Sequence, residues 1–427
     1  MQTIAEDQAQ APFRPDDAGA ARLDLDPLTE MQKLNAAFAA MRAQSASDPA
    51  RLCIDMSRVD FILVECLMTL VAEISRRQER GLGTTLRLPQ SERVRAFLRE
   101  WDFPIVVKQI TGITFYDLVD PRDHHFFRGR GGDGGVDGER SFKIYKSYHW
   151  RDQEWKVPLD MNRFFAFRTW DVADFLQADD PLRFKRAVLD ESERWANDTV
   201  IEAVLRNALG PYYKYLPSHI VHEAMSNAFR HGGARSIAAV SKADFGRNIG
   251  RSRFLTLSFW DDGVPMHGTL KAALHLNKPI VSGIHGVTPQ IEYDVRQGTE
   301  RLKRSSAVIP GAEGSNEDFL LAALFPGVTS DPDGIGHFPH PEMSDPVGSL
   351  PGSGLSNLVN AAVDIFGGSV AIRSGAYFMN VKRSKKTSPD ATAPKYGVKI
   401  EDHGPFKGNM VTVRLPLAGL ATPADPA

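Results

Sequence analysis

Apolar residues at Leu28, Met31, Leu34, Phe38 and Met41 recur every three or four positions, which predicts one face of a helix. RLCIDMS then reads as a strand, and CLMTLVAEISRRQERG as a helix stopped at Gly81. TTLRLP is a second strand cut off by Pro89, and ERVRAFLREW a further helix. Strands alternating with helices predict an open α/β layer over the front of the chain.

From Asp120 the periodicity breaks up, and RGRGGDGGVDGER is the clearest boundary. No strand leads into it and no Lys-Ser/Thr follows, so it reads as a linker and not as a phosphate loop. Residues 170–209 read as strongly helical. In SHIVHEAMSNAFRHGG, Val221, Ala224, Met225 and Ala228 form an apolar stripe. Glu223, Asn227 and His231 form the adjacent stripe, because residues four apart stand one above the other on a helix. Pro217 and Ser218 open this helix and Gly232-Gly233 close it. ARSIAAVSKAD and FLTLSFW predict strands, and Gly268 to Gly352 reads as a long irregular stretch. A helix (LSNLVNAAVDIF), a strand (SVAIRS), a basic loop and a closing strand (MVTVRLPL) complete the chain, with no internal repeat.

Composition narrows the class. At 427 residues the chain predicts two or three domains. With 42% hydrophobic and 24% charged residues it has the balance of a soluble globular protein. Lys and Arg total 51 against 53 Asp and Glu, which argues against a chain built to coat nucleic acid or an anionic membrane. The only cysteines, Cys53 and Cys66, rule against a disulfide framework or a cysteine-based zinc site and fit a reducing compartment. The opening residues lack a basic start and an apolar run, so no signal peptide is expected. FILVECLMTLVA is too short to span a bilayer and contains Glu65. A cytoplasmic location is the expectation.

The stripe on helix 222–231 carries chemistry. A carboxylate such as Glu223 can position or deprotonate a hydroxyl or water. An amide oxygen such as that of Asn227 suits Mg²⁺ without adding charge near phosphates. Arg230 or His231 can meet phosphate oxygens. Three further stretches follow in order: FLTLSFWDDGVPM, an apolar strand running into Asp-Asp-Gly; LPGSGLSNLVNAAVDIFGGSVAIRS, a glycine loop, helix, Gly-Gly stop and strand; and GNMVTVRLP. With HEAMSNAFRH they resemble the nucleotide site of the GHKL ATPases, the Bergerat-fold group that includes gyrase, histidine kinases and anti-sigma serine kinases. HEAMSNAFRH is similar to the family's N box, WDDGVPM to its first glycine box and GSGLSN to its second. The resemblance covers roughly residues 170–420.

The resemblance implies a two-layer α/β sandwich with a mixed sheet, and a site for ATP and Mg²⁺. Glu223 would be the base or would orient the attacking group, and Asn227 would hold Mg²⁺, with Arg230 and His231 near the phosphates. Asp261 would accept a hydrogen bond from the adenine amino group, and Gly263 would let the backbone approach the base. Gly352 and Gly354 would wrap the phosphates at the start of the helix beginning at Leu355, and Thr412 would touch the adenine edge. Two departures stand out. Pro265 fills the last glycine position of the first glycine box, which predicts a stiffer lid base. The segment 268–351 between the glycine boxes is long, either an elaborated ATP lid or an insertion that recruits a partner.

The front of the chain, residues 21–118, resembles a STAS domain through the strand IDMS, the turn into a helix, the second strand and the last helix. In that family a serine at the turn before the main helix is phosphorylated. Here the turn reads Phe61-Ile62-Leu63-Val64-Glu65, with no hydroxyl, and Ser57 precedes it as a strand-end residue. That absence implies docking or scaffolding. The organisation expected is a tail (1–20), the STAS-like domain (21–118), a glycine-rich linker region (119–165), a GHKL-type domain (166–420) with the insertion 268–351, and a tail (421–427). No histidine lies on a dimerising upstream helix, so an autophosphorylating histidine kinase does not fit. The basic runs RLKR (301–304) and KRSKK (382–386) read as solvated loops, as does the His337–His340 segment. The function expected is that of a regulator that hydrolyses Mg-ATP slowly or passes its γ-phosphate to a protein partner, as an ATPase or an anti-sigma-type Ser/Thr kinase. The alternative is a nucleotide sensor whose ATP-bound lid and STAS-like domain recruit that partner without chemistry. No membrane or nucleic-acid partner is expected, and a homodimer is left open.

Overall fold

Alternating and continuous apolar runs bounded by glycine turns pair into two main sheets, one in each of two units. The computed structural model describes residues 13–15, 21–29, 31–44, 48–100, 103–127, 145–150, 153–158, 168–176, 181–196, 206, 209–230, 233–244, 254–278, 292–297, 300–305, 310–325, 328, 354–383 and 396–417. One unit is Met1–Lys143 with His403–Pro405, the other Ile144–Asp402 with Phe406–Ala427. The fold is mixed α/β.

In the first unit the strands are β1 (Phe13–Pro15), β2 (Ala21–Asp24), β3 (Leu28–Thr29), β4 (Arg51–Asp55), β5 (Phe61–Ile62) and β6 (Gly83–Arg87). The sheet order is β1-β2-β4-β6, with β2, β4 and β6 parallel and β1 antiparallel to β2. The central strand β4 is buried from Leu52 to Asp55, as a parallel strand covered on both faces must be. Helix Met31–Gln44 packs Leu34, Phe38 and Met41 into the core, while Leu28 belongs to β3 and not to the helix. Helix Phe103–Thr111, which the sequence reading did not find, follows Glu92–Glu100.

Helix Val64–Glu79 is buried along nearly its whole length, including Glu73, Arg76 and Arg77. Those charges are paired. Arg42 Nη2 donates to Glu73 Oε2 at 2.6 Å, and Arg76 donates to both Glu73 and Asp48. Arg77, wholly buried, donates to Thr84 Oγ1 at 2.9 Å and to the carbonyls of Pro49 and Gly83 at 2.8 Å. A buried guanidinium is tolerable only with such partners. Arg76 and Arg77 also sit in the last helical turn, where the helix dipole favours positive charge. Gly81, at φ +69°, then reverses the chain towards β6.

The second unit opens with a hairpin, β7 (Tyr145–Trp150) and β8 (Gln153–Pro158), inside the region the sequence reading took as linker. Its main sheet uses β9 (Arg168–Asp171), β10 (Ser236–Asp244), β11 (Phe254–Asp261), β12 (Glu292–Gln297), β13 (Glu300–Ser305), β14 (Ser369–Ser374), β15 (Tyr377–Arg383), β16 (Tyr396–Asp402) and β17 (Asn409–Pro416). The order is β13-β12-β16-β15-β14-β17-β11-β10-β9; the seven strands from β16 to β9 are antiparallel throughout, and β12 joins β16 in parallel. Trp170 and Asp171, the first residues of the stretch expected to be helical, instead end β9; helix Pro181–Ala196 follows later.

The strand period of two decides which residues meet the helices. Leu255, Leu257 and Phe259 of β11 stand opposite Leu415, Val413 and Val411 of β17 and join one core cluster with Val370, Ile372, Met379 and Val381. Helices Pro181–Ala196, His222–Arg230 and Gly354–Val359 supply Trp195, Ala224, Met225, Ala228, Leu355 and Leu358 to that cluster. Trp195 meets Phe259 edge-on, with ring centroids 5.4 Å apart.

The stretch read as irregular holds helix Met266–His275, the β12–β13 hairpin and helix Asn316–Ala322. The last begins in a capping box, with Asp318 N–H donating to Ser315 Oγ and Ser315 N–H to Asp318. It buries Phe319, Leu320, Leu321 and Ala322. Short elements between Gly and Pro residues hid this pattern from a periodicity reading. Phe319→Ala is therefore expected to cost about 3–5 kcal/mol in urea unfolding of the second unit; a loss below about 1 kcal/mol would place the segment outside the core.

Candidate functional site

The core face of β11 and β17 ends in polar residues. Continuing Leu255, Leu257 and Phe259 by two brings Asp261 to the same face, and its partner across the ladder is Asn409. Around them lies a cavity enclosing about 730 Å³, part of it open to solvent. Its wall is largely apolar, from Phe259, Val264, Met266, Leu270 and Val411, with Asn227, Asp261, Thr269 and Asn409 as the polar residues. That lining suits a ligand with a flat apolar body and a few hydrogen-bonding edges.

Asp261 is 6% exposed. Its Oδ1 accepts from Gly263 N–H and from Asn409 Nδ2, each at 3.0 Å. Both hydrogen bonds formed by its carboxylate among the described residues fall on that one oxygen, leaving Oδ2 for a ligand. Burial pushes the Asp261 carboxyl up to about 7; the two hydrogen bonds pull it down, and neighbouring Asp262 adds to the rise. Asp262 itself is occupied structurally: its Oδ1 accepts from Arg235 and Ser236 N–H, and Lys407 Nζ lies 3.4 Å from Oδ2.

Close approach of the strands sets this geometry. Gly408, at φ +75°, lies so near the end of β11 that a Cβ there would fall 1.7 Å from the Asp261 carbonyl oxygen. Only glycine satisfies both the left-handed backbone and that contact.

Helix His222–Arg230 brings Asn227 to the cavity wall together with Ala224 and Ala228 of its apolar stripe. Gly354 lines the cavity from the start of helix Gly354–Val359. A Cβ on Gly354 would fall 2.8 Å from Glu223 Oε2 and 3.0 Å from Asn227 Oδ1. The glycine thus makes space for a carboxylate and an amide held side by side. Asn357 Nδ2 donates to Glu223 Oε1 at 3.4 Å.

The expected residues divide as follows. Asn227, Asp261, Gly354 and Leu355 line one cavity, and Glu223 stands beside Gly354 at its edge. Gly263 acts through its N–H on Asp261. Arg230 ends the helix. His231 and Gly352 lie outside the described residues. Thr412 is a correction. It stands on the opposite sheet face, where its hydroxyl shares a 2.9 Å hydrogen bond with Ser258, and it does not reach the cavity. The residue that does is Asn409, whose signal was the Gly408-Asn409 pair standing where the resembled family has Gly-Thr. Pro265 directly precedes helix Met266–His275, and its carbonyl accepts from Gly268 and Thr269 N–H. Ala323 and Val328, from the long segment 268–351, also line the wall.

No family model, curated protein or solved structure matches the chain. Among the described residues there is no group of three or more His, Cys, Asp or Glu that could hold a metal, and no helix long and apolar enough to cross a membrane.

The carboxyl at 261 has a consequence for stability. Between the unfolded value of 3.8 and the folded value of about 7, the folded chain holds a proton that the unfolded chain has lost. Stability from this group therefore falls as pH rises through that window, by up to about 4 kcal/mol. Asp261→Asn removes the effect while keeping an acceptor for Asn409. Its melting temperature relative to the wild type is expected to rise between pH 5 and pH 8 in calorimetric scans; a constant difference would refute a raised Asp261 carboxyl.

Proposed function

We propose that the chain is an ATP-binding regulator of GHKL type, which binds Mg-ATP in the cavity between β11, β17 and helices His222–Arg230 and Gly354–Val359. The observation that carries this reading is the convergence, from three distant parts of the chain, of Asn227, Asp261 and Gly354 on one cavity. Asp261 Oδ2 offers an acceptor to an exocyclic amino group at the end of an apolar slot, where a missing donor is most costly. Met266, Leu270 and Val411 would cover the faces of a purine. Asn227, beside Glu223, is a hard oxygen donor placed where phosphates would emerge past Gly354. Mg²⁺, which is commonly held by one or two side chains together with phosphate oxygens, would be held here by Asn227. Bound Mg²⁺ would neutralise charge on the phosphates; Glu223, with Asn357 donating to its other oxygen, would orient a water or a partner's hydroxyl.

The finer fold reading belongs to the same proposal: a Bergerat-type two-layer sandwich in the second unit and a STAS-like module in the first. The parallel β2-β4-β6 core with helix Val64–Glu79 leading out of the Phe61–Glu65 turn supports the latter. At that turn no hydroxyl is present, and Ser57 N–H is turned into a local bond with Asp55 Oδ1 at 2.7 Å. The module would then dock a protein partner, without a phosphoserine switch.

Incubation of the pure chain, and of the chain in lysate, with γ-labelled Mg-ATP tests the reading. Label released as phosphate identifies an ATPase, label on another polypeptide a kinase, and retained label without turnover a sensor. Glu223→Gln is expected to lower turnover at least about 100-fold with ATP affinity within a factor of about three. Asp261→Asn is expected to weaken adenine nucleotides by about tenfold or more. Calorimetry showing no heat with Mg-ATP, or unchanged ATP affinity in Asp261→Asn, would overturn it.

A further inference from the structure

Asn409 is the most fully engaged polar side chain at the cavity. Its Nδ2 donates to Asp261 Oδ1 and to the Val264 carbonyl, both at 3.0 Å. Its Oδ1 accepts from Met266 N–H at 3.0 Å and from Ser374 Oγ at 2.8 Å. Two donors and two acceptors exhaust what a side-chain amide can do. These bonds tie β17 to the acid on β11, to the loop after it, to the first residue of helix Met266–His275 and to the end of β14. Ser374 closes the set, since its hydroxyl also accepts from Met266 N–H at 2.9 Å.

We propose that Asn409 is a positioning residue for base recognition: it pins Asp261 Oδ1 to the wall so that Oδ2 faces the cavity, and locks that acid to the start of helix Met266–His275. The proposal rests on the nucleotide reading above. A hydroxyl at this position has one hydrogen to donate and cannot bridge both Asp261 and Val264. The amide's donation also favours the ionised acid, the form that can accept from an amino group. Burial acts the other way, so the balance between the two sets the pH at which the site becomes an acceptor. The surrounding elements add few charges. Asp262 lies next in the chain with Lys407 against it, and Glu223 stands on the helix that carries Asn227. The following helix carries Lys271 and His267, whose imidazole is held below its ordinary value by burial, but its cavity-lining residues are Met266, Thr269 and Leu270, which do not titrate, nor do Ala323 and Val328 beyond it.

The test uses two variants that differ by one hydroxyl, Asn409→Thr and Asn409→Val, both suited to a strand. In the ligand-free full-length chain, the Asp261 carboxyl carbon is followed by NMR from pH 5 to pH 9, with Asp261→Asn giving the assignment. The valine chain is expected to show a midpoint at higher pH than the wild type, and the threonine chain a midpoint between them. As pH is lowered, ATP affinity by calorimetry is expected to fall through the same midpoint, and so already at a higher pH in the valine chain than in the wild type. In the wild type, the Asn409 side-chain amide protons are expected to shift with the same midpoint as the Asp261 carbon, a measurement that survives even if a variant fails to fold. Amide protons flat through that range, or a valine midpoint equal to the wild type's, overturn the role of Asn409 while leaving ATP binding intact. No ATP heat from the wild type at any pH removes the nucleotide reading itself, and base recognition with it.

Discussion

The site depends on one close approach between two strands. β17 enters its ladder with β11 at Gly408, where the absence of a side chain lets the backbone press against the Asp261 carbonyl. That contact fixes the register of eight paired residues, from Asp261 opposite Asn409 to Phe254 opposite Pro416. A slip by one residue would put Met410 across from Asp261 and turn the core residues Val411, Val413 and Leu415 to the other face. The same register that builds the hydrophobic core therefore delivers an amide to a buried acid.

The acid is costly to bury, and among the described residues it is met by local hydrogen bonds and not by a counter-charge. Gly263 N–H and Asn409 Nδ2 both serve Oδ1, and Asn409 is in turn fully occupied. A cation in the same place would hold the carboxylate ionised and fill the cavity; neutral donors leave the second oxygen open. The first unit solves a similar problem with charge. There Arg76, Arg42, Glu73 and Asp48 are interlocked, and Arg77 donates through Nε and Nη2 to a hydroxyl and two carbonyls. These charges are met by one another and by nearby carbonyls, which is why the network reads as structural.

Glycine has two distinct uses at the cavity. Gly408 permits strands to touch, whereas Gly354 permits a helix start to lie over the side chains of Glu223 and Asn227. The second use places a carboxylate and an amide side by side at the mouth of an apolar slot. The segment between helix Met266–His275 and helix Gly354–Val359 contributes to the core and to the cavity. Helix Asn316–Ala322 buries four consecutive residues, and the residues just after it, Ala323 and Val328, reach the cavity wall.

The sequence by itself determined the elements whose patterns are long and clean. The apolar face of helix Met31–Gln44, the strands β4, β6, β10, β11, β14 and β17, and the stripe on helix His222–Arg230 were legible because local spacing alone defines a buried face. The resemblance also singled out Glu223, Asn227, Asp261 and Gly354, of which the structure brings Asn227, Asp261 and Gly354 to one cavity. The sequence did not resolve β9, β12, β13, β15 and β16, or helices Phe103–Thr111 and Asn316–Ala322, which are short, polar at their ends or broken by Gly and Pro. Tertiary structure alone decided which of Thr412 and Asn409 faces the cavity. Both are polar and lie three apart on one strand, so alternation puts them on opposite faces, and only the register with β11 says which face meets the acid.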